Sequence, residues 1–159
     1  MTSNIGLNTA SSEKVAADLN NLLATYQVFY MNMRGYHWNI KGRNFFELHA
    51  KFEEYYTDLV DKVDEIAERI LTLGFTPSNA FSEYLTTSRI KEHTGVASAK
   101  DCLQGSLEGF KTLILQQREI LALTDESGDE GTNSLMSDYI KEQEKIIWML
   151  SAACETCHQ

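Results

Sequence analysis

The sequence predicts an all-α protein: a four-helix bundle whose second and third helices are joined by a long crossover containing a short helix. Three observations carry that reading. Apolar residues recur in steps of three and four along four long segments. A single proline in 159 residues suits long uninterrupted helices and disfavours a sandwich of many short strands. At 43% apolar, a chain of this length makes one full hydrophobic core, so residues 1–159 read as a single domain without internal repeat.

The first helix carries its stripe through Val15, Leu19, Leu22, Tyr26, Phe29 and Met33, with Ser11 or Ser12 before Glu13 as its expected cap. The second runs through Phe45, Leu48, Phe52, Tyr55, Leu59, Val63, Ile66, Ile70 and Leu73. It stops at Gly74, with Pro77 just beyond, as helix ends tend to do. The turn from Asn39 to Arg43 is tight, so these two helices are expected as antiparallel neighbours. Phe75 to Gly95 is too long for a simple connection and is read as a crossover holding a short helix over Ala80–Thr87. The third helix reads Ala99, Leu103, Leu107, Phe110, Ile114, Leu121. The fourth is looser, through Leu135, Tyr139, Ile146, Leu150 and Ala153, and Thr124–Thr132 is expected as a short acidic loop between them. Two hairpins joined by one crossover describe the ferritin-like arrangement of the four-helix bundle.

With 14 basic and 23 acidic residues, the formal net charge is −9. Such a surface repels nucleic acid unless its few cations gather in one place. No apolar run approaches the roughly 20 residues that a membrane span needs. Met1–Ala10 lacks both a basic leader and a hydrophobic stretch, so the expected location is the cytoplasm. Three cysteines, an odd number, argue for reduced thiols over a disulfide framework.

Metal-capable residues concentrate in one stretch: His37, His49, Glu53, Asp64 and Glu68. His49 and Glu53 are four apart on the second helix, as are Asp64 and Glu68, so each pair shares a face. The 11-residue step from Glu53 to Asp64 drifts by only about 20° around the helix, which puts all four on one stripe. His49 and Asp64 are nonetheless separated by a rise of roughly 22 Å, too far to share an ion within one chain. Two copies can close that gap. If the helix packs antiparallel against its own copy across a two-fold axis, facing residues have a constant sum of residue numbers. His49 with Glu68 gives 117, and Glu53 with Asp64 gives 117 again. One crossing near Asp58 and Leu59 therefore builds two identical sites per dimer, with His37 able to reach the His49 end. Mixed imidazole and carboxylate ligation suits iron, zinc or manganese, and for oxidation chemistry it suits iron. The spacing alone is equally compatible with a solvated, salt-bridged face, the reading given to Asp61, Glu65 and Arg69.

At these residues the chain resembles the Dps family, the miniferritins. His37-Trp38-Asn39-Ile40-Lys41-Gly42, Asn44-Phe45-Phe46, Leu48-His49, Phe52-Glu53 and Asp64-Glu65-Ile66-Ala67-Glu68-Arg69 follow that family's signature at full spacing. The resemblance implies a dodecamer built from two-fold dimers, with a di-iron ferroxidase centre at each dimer interface. His37, His49 and Glu53 would come from one subunit, and Asp64 and Glu68 from its mate. Many members carry aspartate where this chain has Glu53. The extra methylene changes the carboxylate's reach, so direct ligation and ligation through water both stay open. The family further implies a radical-quenching role for Trp38, against a plain role in interface packing. It also implies a three-fold pore that draws in Fe(II) through Asp125 and Glu130, with Asp129 adjacent, on the acidic stretch after Thr124. Ser134 stands where some members have a further acid. Tyr36 and Tyr55 are read as core.

Cys154-Glu155-Thr156-Cys157-His158 matches the c-type haem attachment pattern, but at the end of the given sequence and without an export signal it is read as a frayed helix end with two thiols, and no haem is expected. Cys102 is read as a buried small hydrophobe, and no partner is identified for His93. Lys14 is the one basic residue in the first 33, and none follows Lys145, so DNA binding is expected to be weak or absent. The expected function is a cytoplasmic ferroxidase that oxidises Fe(II), preferably with hydrogen peroxide, and stores the Fe(III) mineral, protecting the cell and its DNA. Two rivals keep the same residues: a structural zinc site holding an oligomer together, and a DNA-compacting nucleoid protein.

Overall fold

Helical periodicity sets the elements, and side chains of Asn8, Ser98 and Asp129 cap the starts of three of the helices. The computed structural model describes residues 1–157, in the order α1 Thr9–Asn39, α2 Phe45–Thr72, α3 Phe81–Thr87, α4 Ala99–Ser127 and α5 Glu130–Ala153. The expected stripe of α1, from Val15 to Met33, is buried throughout, and Phe52, Tyr55, Leu59, Ile66 and Ile70 bring the matching face of α2 against it. Helix α1 packs on α2 and α4, and α4 packs on α5. The short α3 lies on α1 from within the crossover. Cys102 is fully buried, and Tyr36 and Tyr55 belong to the core, as expected.

At the bundle's centre, three polar side chains from three helices satisfy one another. Gln117 of α4 donates to Gln143 of α5 at 2.7 Å, Gln143 donates to the Tyr26 hydroxyl of α1 at 2.8 Å, and Tyr26 donates back to Gln117. A buried polar ring of this kind fixes helix register, because breaking any one bond leaves a desolvated group.

Four expectations are corrected. The cap of α1 is Asn8, whose side chain accepts from the Ser11 amide at 3.0 Å; Ser12 is buried inside the helix instead. The expected acidic loop Thr124–Thr132 is almost wholly helical, with only Gly128 and Asp129 between α4 and α5. Gly128 closes α4 in the left-handed conformation (φ 73°), which lets the chain reverse in two residues. Arg69, read as part of a solvated, salt-bridged face, does form a salt bridge but is half-buried and reaches α5 to do so, donating from Nη2 to Asp129 Oδ1 at 2.9 Å and from Nε to the Thr132 hydroxyl at 2.8 Å. Finally, Cys154 and Cys157 are joined as a disulfide where reduced thiols were expected. The end of α5 turns back on itself there, the Cys157 amide donating to the Cys154 carbonyl, so the two thiols meet locally without any wider framework. His158 lies outside the described residues.

Candidate metal centre

The tight turn between α1 and α2 brings His37 and His49 face to face, their rings stacked at 3.8 Å and 12° apart in plane. His37 Nδ1 lies 2.6 Å from the His49 carbonyl oxygen, and His49 Nδ1 lies 2.7 Å from the His37 carbonyl oxygen. A carbonyl only accepts, so each Nδ1 carries a proton, which leaves Nε2 as the atom on each ring able to offer a lone pair. This reciprocal clamp fixes tautomer and ring orientation together, which is how backbone partners commonly prepare ligand histidines. Phe45 stacks on the other face of His49 at 4.8 Å, and Tyr56 sets its edge to His37 at 5.3 Å.

Glu53 follows His49 by one turn and is exposed, its Oε1 accepting a long 3.4 Å hydrogen bond from the Tyr56 hydroxyl. Asp64 and Glu68, also exposed, are hydrogen-bonded to each other. That bond, and then the Asp64 charge, raise the Glu68 pKa above its ordinary value. Among the described residues, none of these three carboxylates is in an ion pair. Nor do three metal-capable side chains of one chain converge among them, as the length of α2 between His49 and Asp64 requires. The structure thus joins His37 to His49 and Asp64 to Glu68, with Glu53 beside the histidine end, and leaves the two halves apart on one helix. Tyr56 is a neighbour that sequence reasoning missed, although its place three residues after Glu53 puts it on the same face.

Residues 16–159 match the family model of the ferritin-like domain. A Dps protein from Vibrio cholerae O1, described as a member of a broad superfamily of ferritin-like diiron-carboxylate proteins, is 62% identical and superposes with a TM-score of 0.93 over 95% of both chains. A DNA protection during starvation protein of Porphyromonas gingivalis is 44% identical over 92% of both sequences. The chain belongs to the Dps family. A Dps protein from Bacillus brevis, 35% identical, gives a TM-score of 0.88 over 92% of this chain and 98% of its own.

In this Dps chain the acids expected to line a pore divide into two kinds. Asp125 on the last turn of α4 and Glu130 on the first turn of α5 are exposed. Asp129 is buried and committed: its Oδ1 caps α5 by accepting from the Thr132 amide at 3.0 Å while also pairing with Arg69. It cannot serve a pore without dismantling that joint. Trp38 is exposed, with the Arg34 guanidinium 4.7 Å over its ring. His93 does have a partner, the Tyr36 hydroxyl. No helix of the described residues is long and apolar enough to cross a membrane.

The donor set suits iron. Two imidazole Nε2 atoms would suit Fe(II), and hard carboxylates free of cationic partners would favour Fe(III).

Proposed function

We propose that the chain is a ferroxidase and iron-storing miniferritin that assembles as a dodecamer from two-fold dimers, with each centre shared between two copies. The observation that carries this reading is the pair of histidines locked by backbone carbonyls with both Nε2 atoms able to offer a lone pair, one turn from an unpaired carboxylate. An antiparallel crossing of α2 with its copy near Asp58 and Leu59 sets His37, His49 and Glu53 of one subunit against Asp64 and Glu68 of the other. Such a crossing converts two incomplete halves into two complete sites.

Fe(II) is the substrate. His37 and His49 orient one ion, while Glu53 and the opposing Asp64 and Glu68 neutralise charge and span to a second. Asp64 and Glu68, one turn apart on α2, present two adjacent carboxylates to the same ion. Hydrogen peroxide, preferred over dioxygen, takes one electron from each Fe(II). Its O–O bond breaks and two protons complete two waters, leaving two Fe(III) and no hydroxyl radical. The product mineralises inside the acidic shell. Exposed Asp125 and Glu130 draw Fe(II) inward, and Trp38 intercepts stray oxidising equivalents. At a net charge of −9 per chain, protection of DNA is chemical and direct DNA contact is weak. The site of action is the cytoplasm.

The test is anaerobic Fe(II) loading followed by half an equivalent of hydrogen peroxide per iron, with Fe(III) absorbance and spin trapping read in parallel. Rapid oxidation saturating at two irons per site without trapped radical is expected, and is lost on His49→Ala with Glu68→Ala. Oxidation no faster than in buffer would refute it. Tight zinc binding without turnover would then favour the structural-metal rival, and a salt-sensitive gel shift the nucleoid one.

A further inference from the structure

Tyr36 immediately precedes His37 on α1, and no step above uses it. Its ring is buried and packs against Phe52 of α2, with centroids 5.9 Å apart, so it adjoins both His37 and Glu53 through chain neighbours. Its hydroxyl reaches the crossover, where it meets His93 Nδ1 at 2.6 Å with the rings edge to face. In the tautomer that carries its proton on Nε2, His93 offers Nδ1 as the acceptor for the Tyr36 hydroxyl.

Two devices hold this pair. Asn32, buried one turn earlier on α1, clamps the crossover backbone at Lys91 and at His93 itself. Its Nδ2 donates to the Lys91 carbonyl at 2.9 Å, and its Oδ1 accepts from the His93 amide at 2.9 Å. Gly105 of α4 supplies the room, because a Cβ there would stand 2.2 Å from the Tyr36 oxygen and 2.9 Å from His93 Nδ1. Glycine is a poor residue for a helix interior, and here it makes space for one oxygen–nitrogen contact. His93 is exposed and borders an open pocket of about 300 Å³ whose lining includes Arg89, Glu92 and Glu108. A proton received on this ring has a way out.

Building on the ferroxidase reading, we propose that Tyr36 is a one-electron donor to the site and that His93 accepts its phenolic proton. The pair acts when a site holds one Fe(II) instead of two. Peroxide needs two electrons, and the single Fe(II) supplies one. Tyr36 supplies the other: the O–O bond breaks, two solvent protons complete two waters, and the phenolic proton passes to His93 Nδ1. Fe(III), a neutral tyrosyl radical and an imidazolium remain. A later Fe(II) returns the electron, and His93 returns the proton. Trp38 is a poorer donor in the same place, because the Arg34 cation over its ring opposes the positive charge an oxidised indole would carry.

The experiment is freeze-quench electron paramagnetic resonance on the assembled protein, loaded anaerobically with one Fe(II) per site and mixed with one equivalent of hydrogen peroxide. A tyrosyl signal that changes with ring-deuterated tyrosine is expected. It should vanish in Tyr36→Phe, which keeps the buried ring, while trapped hydroxyl radical rises severalfold. His93→Gln, which can still accept the hydrogen bond but takes no proton, should lower the radical yield. Circular dichroism and gel filtration check that both variants fold and assemble. The same signal in Tyr36→Phe, or an unchanged yield in His93→Gln, overturns the proposal. The native protein with two Fe(II) per site is the reference. Failure there strikes the ferroxidase reading, whereas normal two-iron turnover without a Tyr36 radical strikes this inference alone.

Discussion

Replacing Asp129 with alanine separates a pore acid from a structural one, because the two roles predict opposite phenotypes. The side chain caps α5 through the Thr132 amide, and loss of such a cap costs about 1 kcal/mol. It also faces Arg69, whose side chain is 21% exposed against 4% for Asp129. Breaking a fully buried ion pair costs about 3–5 kcal/mol and an exposed one about 0–1 kcal/mol. This half-covered pair is worth about 2 kcal/mol, held down by its Oδ2, which is buried without a partner among the described residues. The total of about 3 kcal/mol corresponds to a fall in Tm of roughly 6–12 °C for a chain of this size. Asp129→Asn keeps the capping oxygen and should lose about two thirds of that. Melting must be compared at one protomer concentration, since assembly adds its own stabilisation. A double-mutant cycle with Arg69→Met should recover a coupling of about 1–2 kcal/mol. If Asp129→Ala instead melts like the native protein and only takes up Fe(II) more slowly, the assignment of this carboxylate to the α2–α5 joint is wrong.

The exposed acids should behave the other way: Asp125→Asn with Glu130→Gln leaves stability within about 0.5 kcal/mol and slows Fe(II) uptake in stopped flow, most at low salt. Gly105→Ala should destabilise by about 1–3 kcal/mol in urea, because its Cβ collides with the Tyr36 hydroxyl. Burial pulls the Lys62 ammonium down, but hydrogen bonds to Asp58 and Glu142 outweigh it and leave its pKa above the ordinary 10.5. The resulting stability is therefore intact below pH 10.5 and lost as pH rises through the folded value, so the urea midpoint should drop as pH is raised above 10.5 in the native protein and less in Lys62→Met.

What could be read beforehand was whatever a single helix encodes along its own length. The α1 and α2 stripes, the short helix in the crossover and the common face of His49, Glu53, Asp64 and Glu68 all follow from a repeat of 3.6 residues, which needs no knowledge of partners. The misreadings involve residues whose meaning is set at a distance. Arg69 and Asp129 are 60 positions apart, and each alone looks like a surface charge. Only their meeting across α2 and α5 makes them a joint. Tyr36 and His93 are 57 apart and meet through a loop whose path depends on Asn32. The acidic stretch after Thr124 looks like a loop because its charges suit water. Gly128, the left-handed residue that lets two helices nearly touch there, carries the topology instead.

The same distinction explains why the centre sits where it does. A surface helix normally relieves its acids with lysine or arginine one turn away. Elsewhere on α2 that happens: Lys51 meets Glu54, and Lys62 meets Asp58. Along the stripe of Glu53, Asp64 and Glu68 it does not, and two of the three are set against each other closely enough to share a hydrogen bond. The folded chain tolerates that repulsion because these groups stay hydrated. An approaching copy of α2 would remove part of that water and double the negative charge, so the interface is favourable only if cations enter with it or follow it. A divalent metal meets that need, and the two imidazole nitrogens decide which kind. On the proposed reading, assembly and iron binding would be coupled through the same carboxylates, each strengthening the other.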